Sequence, residues 1–439
     1  MACSPLAFAE LKAGAAQRTI TPDLEKHGPV YMAGFGHNRR ATGIHDDLFA
    51  RCLAIQPGET PVLICGVDSI GLFWDDVQKI RAIVKQKVGR VDVVIAALHD
   101  HEAPDTMGLW GPTSTESGIN EDYVRFLVNR TAEAGIEAVE RLRPATLKLA
   151  KAHPVELDTL IKDNRPPDVH DSEVVMLSAF STDGKPIGTL LNWANHPETL
   201  GSKNTEITAD FPGYLRPRLE ELLGGTAVFV NGAVGGMQSP LNAKIENTPD
   251  NSFEKARHIG RRVAEIAAEA VQTAKPVNVT RYEFSERILK IPVQNKGFDQ
   301  AAKADLYHGR KLTIDGKSPS PVGLIRLLNR NAPVLEIALL PGELYPELSV
   351  GGVARYEGAD FPDAPIEPAI KNMMTAPYRM LFGLADDEIG YIIPKAEWDD
   401  QAPWLQNAPK RWYGEVNSIG PEAAGMITDT LRELLALHR

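Results

Sequence analysis

Residues 61–98, PVLICGVDSIGLFWDDVQKIRAIVKQKVGRVDVVIAAL, decide the fold. Both ends of the stretch, 61–67 and 91–98, are short and almost wholly apolar, the pattern of strands buried on two faces. Between them, Val77, Ile80, Ile83 and Val84 recur at helical spacing, so 75–87 is an amphipathic helix. Strand, helix, strand on this scale is the unit of an α/β protein. The alternation continues outward. Phe126, Leu127, Ala132, Ile136 and Val139 form one stripe of a helix over 123–142, and strands are expected at 174–180, 188–193 and 227–230. A long amphipathic helix over 253–274 is ended by Pro276. A strand at 334–340 and a closing helix over 421–437 complete an α/β class built on a layered sheet. Residues 295–331 turn polar, pass through Ser318-Pro319-Ser320-Pro321 and carry a short apolar run, Leu324 to Leu328. They are expected as an insertion or flap, and 358–368 as loop. With no repeat or linker, 1–439 is expected as a single domain.

The 439 residues carry 47 Lys and Arg against 58 Asp and Glu, a net charge of −11. An acidic chain without a basic run offers nothing to nucleic-acid phosphates. No stretch approaches the ~20 apolar residues that a membrane-spanning helix needs. Cys3, Cys52 and Cys65 are odd in number and spaced for neither a metal knuckle nor a disulfide framework. Cys65, inside an apolar strand, is expected as a small hydrophobe. Ala7-Phe8-Ala9 reads either as the tail of a signal peptide or as an ordinary N-terminal segment, which leaves export and a cytoplasmic location both open.

Polar residues cluster just past several strands, where open α/β sheets carry their ligands. His99-Asp100-His101 follows 91–98, and if the extended backbone persists the two imidazoles share a face and can begin a zinc site. The alternative is one solvated histidine and one bonded to a core carbonyl. His196, in Asn192-Trp193-Ala194-Asn195-His196-Pro197-Glu198, is either another ligand or structural. Glu343, after Pro341-Gly342, is a ligand, a general base, or a carboxylate in the first turn of a helix. In Asn231-Gly232-Ala233-Val234-Gly235-Gly236-Met237-Gln238-Ser239-Pro240, free amides can face an oxyanion and Ser239 can serve as nucleophile or anchor. An ordinary glycine-rich turn is the other reading. The stretch is not a Gly-x-Ser-x-Gly elbow, and the chain has no P-loop.

Taken in order, these segments resemble the neutral, non-lysosomal ceramidases, zinc-dependent amidases that cleave the N-acyl bond of ceramide. The likeness starts at residues 13–22 (AGAAQRTITP), Met32-Ala33-Gly34 and residues 43–51. It continues at His99-Asp100-His101, where the family has Thr-His-Thr-His-Ser-Gly-Pro, at Asn164-Arg165-Pro166-Pro167, His196-Pro197 and Asp210-Phe211-Pro212-Gly213-Tyr214. It ends at Pro341-Gly342-Glu343 and Gly390-Tyr391-Ile392-Ile393-Pro394. The resemblance implies layered mixed sheets flanked by helices, without the family's C-terminal immunoglobulin-like domain. It also implies Zn²⁺ held by His99, His196, Glu343 and Tyr391, a tyrosine that otherwise reads as a strand aromatic. His101 then lies beside the metal as a hydrogen-bonding or proton-transfer group, and Arg165 and Tyr413 hold the scissile carbonyl. The family's Gly-Asp-Val-Ser-Pro has become Gly235-Gly236-Met237-Gln238-Ser239-Pro240, so Pro240 alone anchors the position of Ser239.

The expected function is zinc-dependent hydrolysis of an amide, with a small-molecule or lipid N-acyl substrate resembling ceramide. One rival is metal-assisted ester or lactone hydrolysis of a small polar molecule, in a pocket lined by Glu102 and Asp105. Another is a non-catalytic homologue that keeps zinc for structure.

Overall fold

The computed structural model describes residues 10–310 and 315–437. Cys3 and Ala7-Phe8-Ala9 lie outside the described residues. The first half of the chain supplies strands β1 (Lys12–Thr19), β2 (Phe49–Gln56), β3 (Val62–Val67), β4 (Asp92–Ala97), β5 (Arg143–Ala152), β6 (Val174–Ser181), β7 (Pro186–Trp193) and β8 (Thr226–Asn231). They form one sheet in the order β8-β7-β6-β5-β1-β2-β3-β4, with Pro276–Val277 added beside β5. The sheet is mixed: β3–β4 and β7–β8 are parallel and the other pairs antiparallel. A parallel pair needs a crossover. Helix α1 (Trp74–Val88) supplies the first, α2 (Glu121–Glu140) follows β4, and α3 (Asp210–Leu223) supplies the second.

Period-two alternation distributes side chains between layers. On β2, Ala50, Cys52 and Ala54 face α1 and α2, while Leu53 and Ile55 face the other way. β3 and β4 repeat this with Leu63, Cys65, Val93 and Ile95 against Val62, Ile64, Val94 and Ala96. Both faces are covered, which is why 61–67 and 91–98 read as continuous apolar runs. At the other end of the sheet, α3 and helix α4 (Phe253–Thr273) cover β5 to β8.

The second half builds the opposite layers. It comprises β9 (Arg281–Pro292), β10 (Lys317–Asn329), β11 (Ala332–Leu339), β12 (Glu343–Leu344), β13 (Tyr378–Phe382) and β14 (Tyr391–Ile392). β9-β10-β11-β13 form a second sheet. Its Ile325, Leu327, Leu335, Ile337 and Leu339 pack on the bare face of the first sheet. Val322, Leu324, Ala338 and Leu381 pack under helix α5 (Ala423–Ala436). The architecture is therefore helix, sheet, sheet, helix.

Two expectations change. Within the 295–331 stretch read as an insertion or flap, Lys317–Asn329 is a core strand paired on both sides, so that part is scaffold. Cys52 and Cys65, expected not to form a disulfide, are joined by one between β2 and β3. They are direct partners in the antiparallel register, with Cα atoms 4.1 Å apart. Linear spacing does not carry that information; strand pairing does.

A buried ion pair locks α3 to the sheet. Arg216 on α3 and Asp68, one residue past β3, are both essentially without solvent contact. They meet through two bonds of 2.5 and 2.8 Å, and Asp68 also accepts the Phe49 amide at 2.7 Å. Removing one partner of such a pair strands the other charge. Arg216→Met is expected to destabilise the fold by about 3–5 kcal/mol, read as a lower urea midpoint at unchanged m-value. A midpoint equal to that of the wild type would show that the pair holds nothing.

Candidate metal centre

Both crossover units end at the same place. β4 is followed by Leu98 and His99, and β7 by Ala194, Asn195 and His196. Asn231, at the end of β8, ties them together. Its amide donates to Leu98 O and Asn195 O, each at 2.9 Å, and its carbonyl accepts the amide of Asn195 at 3.1 Å. The backbone does not stay extended past β4. His99 adopts φ +63°, a left-handed conformation that a residue with a side chain adopts at a cost. This turn, rather than same-face alternation, brings the rings of His99 and His101 to 4.8 Å, with His196 4.9 Å from His99 and 5.4 Å from His101. The ligand atoms of the three buried histidines all lie within 4.8 Å of one another, so the trio can hold a metal ion.

Each ring is fixed from behind. His99 Nδ1 lies 2.8 Å from Ile70 O, and His196 Nδ1 2.8 Å from Gln238 O. A carbonyl only accepts, so both Nδ1 atoms carry the proton and both Nε2 lone pairs point forward. These Nε2 atoms lie 3.2 and 3.1 Å from one oxygen, Oε2 of Glu343. Burial alone would raise the Glu343 carboxyl, but His99 and His196 outweigh it and hold it down at about 2. His196 moves the other way: burial lowers its pKa, and the bond to Glu343 more than reverses this.

His101 is held differently. Arg39 bonds the carbonyls of Ala33 and His101 and pairs with Glu102 at 3.1 Å. Gly34, at φ +88°, lies against the His101 ring where a Cβ would collide with Nδ1. His101 Nδ1 lies 3.3 Å from Glu198 Oε2. Glu198 Oε1 accepts the hydroxyl of Ser239, which is fully buried. Ser239 thus bonds Glu198, whose other oxygen faces His101, and neither ring nitrogen of His101 has a hydrogen-bond partner among the described residues. Glu198 has no counterpart among the expected site residues, and its signal was its place two residues after His196. Burial, then His99, His196 and Arg39, push the His101 pKa well below its usual value.

Glu343 and Tyr391, 48 positions apart, are register partners in the parallel β12–β14 pair. Both line a pocket with His99, His101 and Tyr413, walled by Phe73, Met107, Leu109, Trp110, Phe298 and Tyr307. The rings of Tyr391 and Tyr413 are 5.9 Å apart. Arg165 and Ser239 do not line this pocket. Arg165 is buried in a two-bond pair with Glu415, at 2.5 and 2.7 Å, beside Tyr345 and Trp412. Glu102 and Asp105 are absent from it too. Glu102 serves Arg39 and Asn204, and Asp105 caps the amides of Met107, Gly108 and Trp110. The polar mouth expected of a lactone or ester site therefore loses the residues that suggested it. The loop glycines at 235 and 236 pack on Tyr345 and Asp163 instead of lining the pocket.

No family model and no curated protein matches the sequence. Among solved structures, the neutral ceramidase from Pseudomonas aeruginosa aligns over 98% of this chain and 74% of its own, with a TM-score of 0.73 and 17% identity. The chain has the neutral ceramidase fold. A second structure, a ceramidase complexed with C2, aligns over 97% of this chain and 75% of its own, with a TM-score of 0.73 and 16% identity. At these identities the likeness to the ceramidases lies in the path of the backbone. No helix among the described residues is long and apolar enough to cross a membrane.

Metal content is expected to track the His99 and His196 rings. Wild-type protein dialysed against zinc and then buffer is expected to hold about one equivalent by elemental analysis. His99→Ala and His196→Ala are expected to hold under a tenth of that. Equal metal in all three would place any bound ion elsewhere.

Proposed function

We propose that this protein is a zinc-dependent hydrolase that cleaves an amide bond, with an N-acyl, ceramide-like substrate. The observation that carries the reading is the approach of two imidazole Nε2 atoms to within 3.2 Å of one carboxylate oxygen. Three acceptors at that separation repel one another unless a cation or a shared proton lies among them. Imidazole nitrogen and carboxylate oxygen suit zinc. The ligand set is then His99, His196, Glu343 and Tyr391. Burial and the Glu343 charge push the Tyr391 phenol well above its ordinary value, so its phenolate form needs a cation beside it. Zinc bound there supplies a Lewis acid and lowers the pKa of water toward about 7.

The chain's own groups supply the rest. His101 stays neutral, with Nδ1 turned to Glu198 and Nε2 free to take a proton from the attacking water and deliver it to the leaving nitrogen. Water and amide thereby become a carboxylic acid and an amine. Tyr413, at the pocket mouth, donates its hydroxyl toward the carbonyl oxygen as charge develops. Arg165 acts at one remove: its pair with Glu415 and its stacking on Trp412 position the turn that carries Tyr413. Ser239, spent on Glu198, orients that carboxylate, and water serves as the nucleophile. The apolar walls of the pocket support an acyl substrate over a polar lactone.

Hydrolysis of N-acyl amides is expected to disappear on chelation and to return with zinc. His101→Ala is expected to keep its metal while kcat falls at least about 100-fold. Glu198→Gln is expected to lower kcat about 10–100-fold with KM nearly unchanged, the size of effect typical for a group that orients another. Failure to cleave any N-acyl amide from acetyl to palmitoyl would overturn the proposal. Loss of metal from His101→Ala would make His101 a ligand.

A further inference from the structure

One carboxyl group of the pocket has no task in the chemistry above. Residues 386–388 run Asp-Asp-Glu just before Tyr391, and the two aspartates are consumed by the fold. Asp386 accepts the Ile95 amide and pairs with Arg81, while Asp387 accepts the Trp74 amide and the Ser320 hydroxyl. Glu388 differs. It is buried, its Oε1 accepts the Gly390 amide at 2.8 Å, and its Oε2 has no hydrogen-bond partner among the described residues. It lines the pocket that holds His99, Glu343 and Tyr391, between aromatic walls. A buried, unpartnered carboxyl oxygen is costly unless a ligand completes it. A carboxyl group among aromatic faces suits an organic cation, whose charge can hold it ionised against the cost of burial. The cavity measures about 60 Å³, which is room for about four to six water-sized groups at 10–15 Å³ each.

We propose that Glu388 is a specificity residue that binds a primary ammonium group on the substrate, close to the bond that is cut. The chain would then act on N-acyl compounds carrying a free amine a few atoms from the scissile carbonyl, in preference to those with a plain alkyl chain there. Glu388 Oε2 receives the ammonium protons, and rings such as Phe73 and Trp110 enclose the charge. The inference takes its meaning from the hydrolase reading, but its test needs no turnover.

The probes are n-butylammonium and 1-butanol, equal in heavy atoms and matched to the cavity, titrated calorimetrically into zinc-loaded full-length protein at neutral pH. Wild type is expected to bind butylammonium at least about tenfold more tightly than butanol. Glu388→Gln, which keeps the shape, is expected to abolish that preference while leaving butanol affinity unchanged. Equal affinity of the wild type for both probes would overturn the proposal without recourse to any variant. So would a preference that survives in Glu388→Gln. A second equivalent of zinc that disappears in Glu388→Gln would also overturn it, by making Glu388 a metal ligand. Amine preference without amide cleavage would keep this inference and refute the hydrolase reading; cleavage without amine preference would do the reverse.

Discussion

Three electron-pair donors crowd one point in this molecule, and the surrounding structure keeps them there. His99 Nε2 and His196 Nε2 both lie within 3.2 Å of Glu343 Oε2, with their opposite nitrogens tied to backbone carbonyls. The rings cannot rotate away without giving up those bonds. The backbone that carries Glu343 is held by the two-residue pairing of β12 with β14. Two imidazole nitrogens and a carboxylate oxygen brought to one point need a positive charge among them, and a shared proton or a metal ion can supply it.

The fold delivers these groups by economical means. Two parallel crossovers end side by side, and Asn231 fastens both ends through backbone contacts. The second sheet, laid on the bare face of the first, brings Glu343 and Tyr391 in from beyond. The first sheet positions the histidines, and the second half of the chain closes the site over them. This division explains why the expected ligands are spread over nearly three hundred positions.

Much of this was legible in the sequence, for reasons tied to particular residues. Strands covered on both faces, such as β3 and β4, announce themselves as apolar runs. β1 is KAGAAQRT, where alanine and glycine weaken the hydrophobic contrast, and β9 is RYEFSERILKIP, whose charges hide its alternation. Neither was identified as a strand. β10 was hidden by its prolines, of which Pro319 faces Lys290 and Pro321 faces Ile288 on β9. The pairing of Cys52 with Cys65 and of Glu343 with Tyr391 depends on register, which one sequence does not encode locally. Glu198 and Glu388 were overlooked for another reason. A glutamate beside a histidine or an aspartate looks like ordinary surface charge until burial is known.

Burial is also what separates structural acids from the acids of the site. Away from the pocket, several buried carboxylates are matched to cations: Asp68 to Arg216, Asp76 to Arg310, Asp171 to Lys371, Glu336 to Arg326 and Glu415 to Arg165. Others are pushed up by burial instead, Glu347 to about 9 with the nearby Glu397 adding to it, and Asp210 and Asp387 to about 7. Around the pocket the matching stops. Glu343, Glu198 and Glu388 have histidines, a hydroxyl and an amide for neighbours, and no lysine or arginine lines the pocket among the described residues. An acid that lines a pocket can gain from a positive charge carried by a ligand, whereas one sealed elsewhere in the core can gain only from the protein's own groups or a proton. In the proposed reading that charge is a metal ion at Glu343 and an ammonium group of the substrate at Glu388.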